Sequence, residues 1–199
     1  MEFINKELLN IGRIKKLREG FLDREPYGYV LIENFLNKRT AKEILEVLKK
    51  EKFEHKECDL FSLNQTNDFA SIGKGILKEF YYFMKSGEFV KWLGGITGIK
   101  LKTRIDMSGS LYKSCDYLLC HDDRLEGRKI AFVYYLSKCK GGGLVMYNND
   151  GRNVGNEAKR ISPKFNSVLL FEVSKKSFHS VDEVISGKRY AIGGWLLDK

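Results

Sequence analysis

The chain is poor in the residues that staple small proteins or anchor them in membranes. Its 199 residues include four cysteines, Cys58, Cys115, Cys120 and Cys139. They show no C-x-x-C spacing and are too few for a disulfide framework in a chain this long. Reduced thiols in a cytoplasmic or nuclear protein are the simplest expectation. Long apolar runs are also missing. The longest, Ile130 to Leu136, has seven residues, far short of the roughly 20 that span a bilayer. The first residues, MEFINKELLN, are charged and carry no apolar stretch of the secretory kind, so neither a signal peptide nor a membrane segment is expected. Histidine is scarce too, with three copies, His55, His121 and His179. Any imidazole-based metal site has few arrangements open to it.

Apolar residues make up 43% of the chain, enough for one domain (residues 1–199) with an ample core. The first hundred residues read as packing. Leu8, Leu9, Ile11, Ile14 and Leu17 fall near helical spacing, which predicts an amphipathic helix. Tyr29 to Ile32 reads as a strand after Pro26 and Gly28. Thr40 is the expected N-cap of a second helix, with Glu43 completing a capping box. Ile76 to Lys85 reads as a third. From Leu101 onward the texture changes to short strands: Leu101 to Asp106, the Tyr112 and Leu118 region, Arg128 to Leu136, Gly143 to Tyr147, Asn166 to Val173, and Arg189 to Leu197. Lys138 to Gly143 and Asn148 to Glu157 are expected loops, the second with a tight turn at Asp150-Gly151. Gly141-Gly142-Gly143 is no phosphate cradle, because no helix start with Lys-Ser/Thr follows. The expected fold is mainly β, a double-stranded β-helix or jelly roll, with helical support over about residues 1–100 packed on the major sheet and the barrel over about 101–199.

The chemistry centres on Leu111 to Leu136. His121 and Asp123 follow the apolar run Tyr117-Leu118-Leu119-Cys120. In an extended chain alternate side chains share a face, so these two can point at one ion while Asp122 points away. His179, after the strand Val168 to Val173, is the plausible third ligand. His55 lies in the charged segment Glu54-His55-Lys56-Glu57 and reads as solvated. Two imidazoles and a carboxylate on one face of a metal form the facial triad of non-haem Fe(II) oxygenases. Such an iron commonly uses 2-oxoglutarate, whose distal carboxylate calls for a planar, permanently charged fork. Arg189, ten residues after His179, supplies it. Singly, each residue has a plain alternative: a chance His-x-Asp, a satisfied core histidine, a strand arginine in a surface ion pair. Their order on one chain is the stronger signal.

With these residues in view, the sequence resembles the 2-oxoglutarate and Fe(II)-dependent prolyl hydroxylases, and within them the branch acting on a ribosomal protein of the small-subunit decoding centre. The motifs are LLCHDD, EGRKIAFVYYL, GGGL, Pro163-Lys164-Phe165-Asn166, LLFEVSKKSFHSVDEV and the R-x-x-I-x-G-W that ends at Trp195. A weaker echo, Asp59 to Asp68, is similar to a family segment near the mouth of the site. The resemblance implies His121, Asp123 and His179 as iron ligands and Arg189 on the distal carboxylate of 2-oxoglutarate. It implies hydroxyls from Tyr112 and Tyr135 for the same co-substrate. The implied cofactors are Fe(II), 2-oxoglutarate and dioxygen, with ascorbate as a candidate reductant, and the implied reaction is prolyl hydroxylation at C3 within a polypeptide. Two departures stand out. Ala191 occupies the place where the family usually has serine, and the eukaryotic ribosomal enzymes carry a second barrel after the first, whereas this sequence ends at Lys199. Trp195 is expected to close the barrel rather than line a groove.

The formal net charge is +9, with basic clusters at Arg13-Lys15-Lys16-Arg18, Lys49-Lys50-Lys52, Arg152-Lys159-Arg160 and Lys175-Lys176. A basic surface suits a substrate beside ribosomal RNA. It suits many unrelated proteins too, so direct nucleic-acid binding is the weaker reading and a protein substrate met by a monomer the stronger one. Two other readings stay open: the same iron chemistry on another protein or small molecule, and a poorly active protein-binding module. A zinc hydrolase using the three ligands leaves Arg189 without a duty.

Overall fold

The structure, a computed structural model, describes residues 2–149 and 153–198. The turn expected at Asp150-Gly151 lies outside them. The helices are α1 (Ile11–Leu22), α2 (Lys38–Leu48), α3 (Ile76–Met84) and α4 (Gly87–Thr97). The strands are β1 (Tyr29–Glu33), β2 (Glu54–Cys58), β3 (Phe61–Asp68), β4 (Ile105–Tyr112), β5 (Tyr117–His121), β6 (Arg128–Tyr135), β7 (Cys139–Gly141), β8 (Leu144–Asn149), β9 (Val154–Ile161), β10 (Ser167–Glu172), β11 (His179–Val181), β12 (Val184–Gly187) and β13 (Arg189–Leu197). Among the described residues no helix is long and apolar enough to cross a membrane.

The main sheet runs β1-β10-β6-β13-β4-β3-β5-β11-β8-β9, and β2 pairs with β3. All these pairings are antiparallel. Strand β3 is the fold line, because Asn64 to Asp68 pair with β4 while Phe61 and Ser62 pair with β5. The jelly-roll expectation therefore holds. Strand β6 shows why a seven-residue apolar run sits at its centre. Ile130, Phe132 and Tyr134 point to one side, into a cluster with Phe89 and Leu93 of α4, where Phe35, between β1 and α2, and Phe80 of α3 lie against the Tyr134 ring. Ala131 and Tyr135 point to the other, against Leu169, Phe171 and Ala191. Both faces are buried, so alternation disappears from the sequence.

Several expected boundaries move. The cap of α2 is Asn37, whose Oδ1 accepts from the Thr40 amide at 2.9 Å, so the helix begins three residues before the place Thr40 would set. Asparagine caps as well as threonine and comes first along the chain. The first helical stripe is broken at Asn10. Its Oδ1 accepts from the amides of Gly12 and Arg13, starting α1 after a separate 3-10 turn at Lys6–Leu9 and leaving Ile11 exposed. Helix α4 was hidden by its glycines, yet Ser86 caps it, Gly98 at φ 74° ends it, and Phe89, Trp92, Leu93 and Ile96 are buried. The strand expected from Leu101 starts at Ile105. Of the loop expected over residues 148–157, Asn148 and Asn149 belong to β8 and residues 154–157 to β9, which pair antiparallel, and residues 138–143 include β7, paired with β12. Strand β9 is exposed from Val154 to Arg160, so no apolar alternation marks it. The division at residue 100 fails as well, since β1, β2 and β3 all belong to the sheet.

Asn166 ties the helical layer to the barrel. Fully buried at φ 60°, its Oδ1 accepts from the Leu36 amide at 3.0 Å and from the Tyr134 hydroxyl at 3.0 Å, and its Nδ2 donates to the Leu36 carbonyl at 2.8 Å. Asn166→Ala leaves three buried polar groups unpaired and places a Cβ-bearing apolar residue in the left-handed region. It is expected to cost about 3–5 kcal/mol of unfolding free energy. Urea denaturation checks this, and a loss below about 1 kcal/mol would contradict it.

Candidate active site

Strands β5 and β11 are neighbours, and His121 stands directly across from His179. Antiparallel register thus brings together two histidines 58 residues apart in sequence, with ring centroids 4.3 Å apart. Asp123 completes the set by a route the alternation rule does not describe. Strand β5 stops at His121, and Asp123 sits beyond it at φ 62°, a left-handed backbone that aspartate tolerates better than most residues. Its Oδ1 lies 3.3 Å from His121 Nε2 and its Oδ2 3.4 Å from His179 Nε2. Asp122 turns away, paired with Arg124 at 2.6 Å. One ligand atom from each of the three residues falls within 4.8 Å of the others.

The second ring nitrogens are committed to main chain. His121 Nδ1 is 2.8 Å from the Leu119 carbonyl and His179 Nδ1 is 2.7 Å from the Ser177 carbonyl. A carbonyl only accepts, so Nδ1 carries the proton and Nε2 presents its lone pair inward, as a metal-ligating imidazole requires. Burial acts to raise the Asp123 pKa, but the two imidazoles outweigh it and hold the carboxyl well below the usual range. For His121 burial acts downward, the Asp123 carboxylate upward, and the net direction is up. A divalent ion must therefore compete with a proton at His121. Metal affinity is expected to be flat at high pH and to fall as the pH drops through the raised His121 pKa. Calorimetric titration with Mn(II) at stepped pH tests this, and an affinity unchanged between about pH 5 and pH 8 would contradict it.

The triad lines one wall of a cavity of about 300 Å³, the small end of the range for ligand sites. At another wall Arg189 is 2% exposed and pairs in register with Tyr112. Its guanidinium carbon lies 4.7 Å from the centroid of the Tyr112 ring and 5.1 Å from that of Tyr135. Burial pushes the Tyr112 phenol up to about 12, partly offset by the Arg189 charge, and burial moves Tyr135 the same way. Both hydroxyls stay protonated near neutrality and can donate. Two buried atoms here, Arg189 Nε and the Tyr135 hydroxyl oxygen, have no hydrogen-bond partner among the described residues. Buried orphans are costly. A planar cationic fork with a phenol beside it matches a carboxylate. The residues therefore fit an Fe(II) ion at the triad and a diacid anchored at Arg189.

All six residues singled out from the sequence come together, Tyr135 behind Arg189 rather than on the cavity wall. His55 is exposed, with Nε2 3.4 Å from Glu57. Ala191 is buried in the apolar cluster, and Ser110, across from it in register, brings a hydroxyl to the cavity instead. Trp195 corrects the expectation of a purely structural role. It lines the cavity, with the Arg128 guanidinium 3.4 Å above its ring, and Arg128 Nη1 donates to the Asp123 carbonyl at 3.4 Å. Phe61, Leu63, Gln65 and Ser108 also line it. Three of these four lie in the segment from Asp59 to Asp68, where the resemblance placed the mouth. Composition alone had assigned the whole first hundred residues to packing.

Residues 107–197 match the family model of the 2OG-Fe(II) oxygenase superfamily, the stretch that carries the triad, Arg189 and both tyrosines. That stretch is a 2OG-Fe(II) oxygenase domain. Fe(II), 2-oxoglutarate and dioxygen are thus its cofactor and co-substrates, consistent with the donor set and the orphaned atoms. This oxygenase is 37% identical over 183 residues to the prolyl 3-hydroxylase OGFOD1 of Xenopus laevis, covering 88% of this chain and 36% of that protein. It is 36% identical over 199 residues to the prolyl 3,4-dihydroxylase OGFOD1 of Ostreococcus tauri, covering 87% and 38%. The oxygenase thus spans about a third of the length of the curated relatives it matches. Among solved structures it is similar to a Trichoplax adhaerens prolyl hydroxylase in complex with a hypoxia inducible factor oxygen degradation domain peptide fragment. The TM-score there is 0.74 at 20% identity, covering 98% of this chain and 93% of that one. At that identity the likeness shows the shared fold.

Proposed function

We propose that this oxygenase hydroxylates a prolyl residue within a protein, at C3, and that its substrate is a small-subunit ribosomal protein of the decoding centre. The observation that carries the chemistry is the pair of buried atoms without a hydrogen-bond partner among the described residues, Arg189 Nε and, behind it, the Tyr135 hydroxyl. The relatives named for prolyl hydroxylation support the choice of proline, two of them at C3, and a polypeptide ligand on the same fold supports an extended protein substrate. Exposed free thiols suit a cytoplasmic or nuclear setting.

His121, Asp123 and His179 would hold the metal from one side and leave the cavity side open. When bound, Fe(II) with 2-oxoglutarate and dioxygen supplies the oxidant for C–H hydroxylation, with succinate and carbon dioxide as co-products. Arg189 holds the distal carboxylate, and Tyr112 and Tyr135 donate hydroxyl hydrogen bonds beside it. Leu118, Leu144, Phe171 and Val181 line the cavity with apolar surface and keep water from the reacting centre. Trp195 and Arg128, at the other end of the wall from Arg189, receive the polypeptide. The test is mass spectrometry of a proline-centred peptide from that ribosomal protein after incubation with Fe(II), 2-oxoglutarate, ascorbate and air. A one-oxygen gain on the proline supports the proposal. Substrate-independent succinate release with no gain on the peptide would remove the ribosomal substrate and leave the oxygenase.

A further inference from the structure

On β4 the residues facing the cavity are Ser108, Ser110 and Tyr112, while Met107, Gly109 and Leu111 point away and are buried. Across from Ser108 on β13 stands Gly193. A Cβ at Gly193 would meet nothing closer than the Phe132 carbonyl at 3.5 Å, so glycine is not forced there by crowding. Its missing side chain leaves a recess in the wall beside Ser108. At 3.3–3.4 Å per residue this recess is about 13 Å along β13 from Arg189, beyond the reach of a five-carbon diacid anchored there. It lies on the side towards Trp195 and Arg128.

A directed chain of hydrogen bonds ends in that recess. Lys56 Nζ donates to Gln65 Oε1 at 2.9 Å, and Gln65 Nε2 donates to Ser108 Oγ at 2.8 Å. An ammonium can only donate, so it fixes which end of the amide faces Ser108. The Ser108 oxygen accepts from that amide, and its own hydrogen must point elsewhere. Among the described residues it donates to none. Ser108 is thus presented to the cavity as a donor, polarised by the chain behind it.

We infer that Gln65, Ser108 and Gly193 form a substrate subsite that takes a main-chain carbonyl of the polypeptide at or next to its target residue. This rests on the reading of the substrate as a prolyl polypeptide and deepens it. Proline offers a carbonyl and no N–H, so a recess lined by a donor matches it where a recess lined by acceptors would not. Ser108 is a specificity residue, and Gln65 acts through it as a positioning residue.

The test uses the whole chain loaded with Mn(II) and 2-oxoglutarate without oxygen, titrated with the proline-centred ribosomal peptide. Ser108→Ala removes the donor. Gln65→Glu replaces the amide by an acceptor, which draws the Ser108 hydrogen away from the cavity while keeping size and the Lys56 contact. Each is expected to weaken peptide binding about tenfold, and the double variant no more than either alone, with 2-oxoglutarate affinity within about twofold of the parent. Thermal melts confirm that both variants fold. Unchanged peptide affinity, or a loss that falls on 2-oxoglutarate instead, overturns the assignment. A parent protein that binds no prolyl peptide overturns it together with the proposed substrate. Binding that responds to both substitutions, with no hydroxylation by the iron form in air, overturns the proposed reaction and leaves the subsite standing.

Discussion

His121→Ala and Asp123→Ala are each expected to abolish binding of one Fe(II) per chain and all turnover. The reason is geometric. The three residues supply one ligand atom each within 4.8 Å, and both histidine Nδ1 atoms are already held by main-chain carbonyls, so no substitute atom is poised to replace a lost donor. Asp123 is the more severe case, because its carboxylate contacts both imidazoles and is the only anion of the set. Its loss leaves two neutral ligands and no charge to offset that of the metal. Calorimetry with Mn(II), and succinate release with Fe(II), measure the two halves of the expectation. Retained metal binding in Asp123→Ala would place the ion elsewhere.

Arg189→Ala is expected to weaken 2-oxoglutarate binding by two to three powers of ten while leaving metal affinity nearly unchanged. Two charge-assisted hydrogen bonds to a carboxylate out of water are worth about 3–4 kcal/mol, which is that range in a binding constant. The fold should tolerate the change better than most buried truncations, because no salt bridge of Arg189 is broken among the described residues and its Nε lacks a partner already. Arg189→Lys should recover only part of the loss, since an ammonium keeps the charge without the fork. A loss below about tenfold in the alanine variant would mean that the co-substrate is anchored elsewhere.

These two expectations were legible in the sequence because they rest on residues whose chemistry is rare in this chain. With three histidines, a His-x-Asp followed by a distant histidine and then an arginine has few competing explanations. The register that makes them meet was not legible. Nothing in the sequence places β11 beside β5, or shows that Asp123 reaches the site from a left-handed position rather than as the next alternate residue of a strand. Gln65 and Ser108 were missed for a different reason. A half-buried polar residue on a strand looks the same whether it faces solvent or a cavity, and only the fold line at β3 brings Gln65 against β4. Helix α4 and strand β9 were hidden by composition. Glycines at 87, 94, 95 and 98 lower helix propensity, yet four buried apolar side chains carry α4, and an exposed polar strand such as β9 has no apolar pattern to read.

The central claim is that one cavity holds Fe(II) at His121, Asp123 and His179 and 2-oxoglutarate at Arg189. Anaerobic titration of the metal-free protein, first with Fe(II) and then with 2-oxoglutarate, tests it most directly, because chelation of the keto acid to iron produces a weak visible charge-transfer band. The band is expected to grow to one equivalent in the parent protein, to need far more 2-oxoglutarate in Arg189→Ala, and to be absent in Asp123→Ala. A folded, metal-loaded parent protein that shows no band with excess 2-oxoglutarate would contradict it.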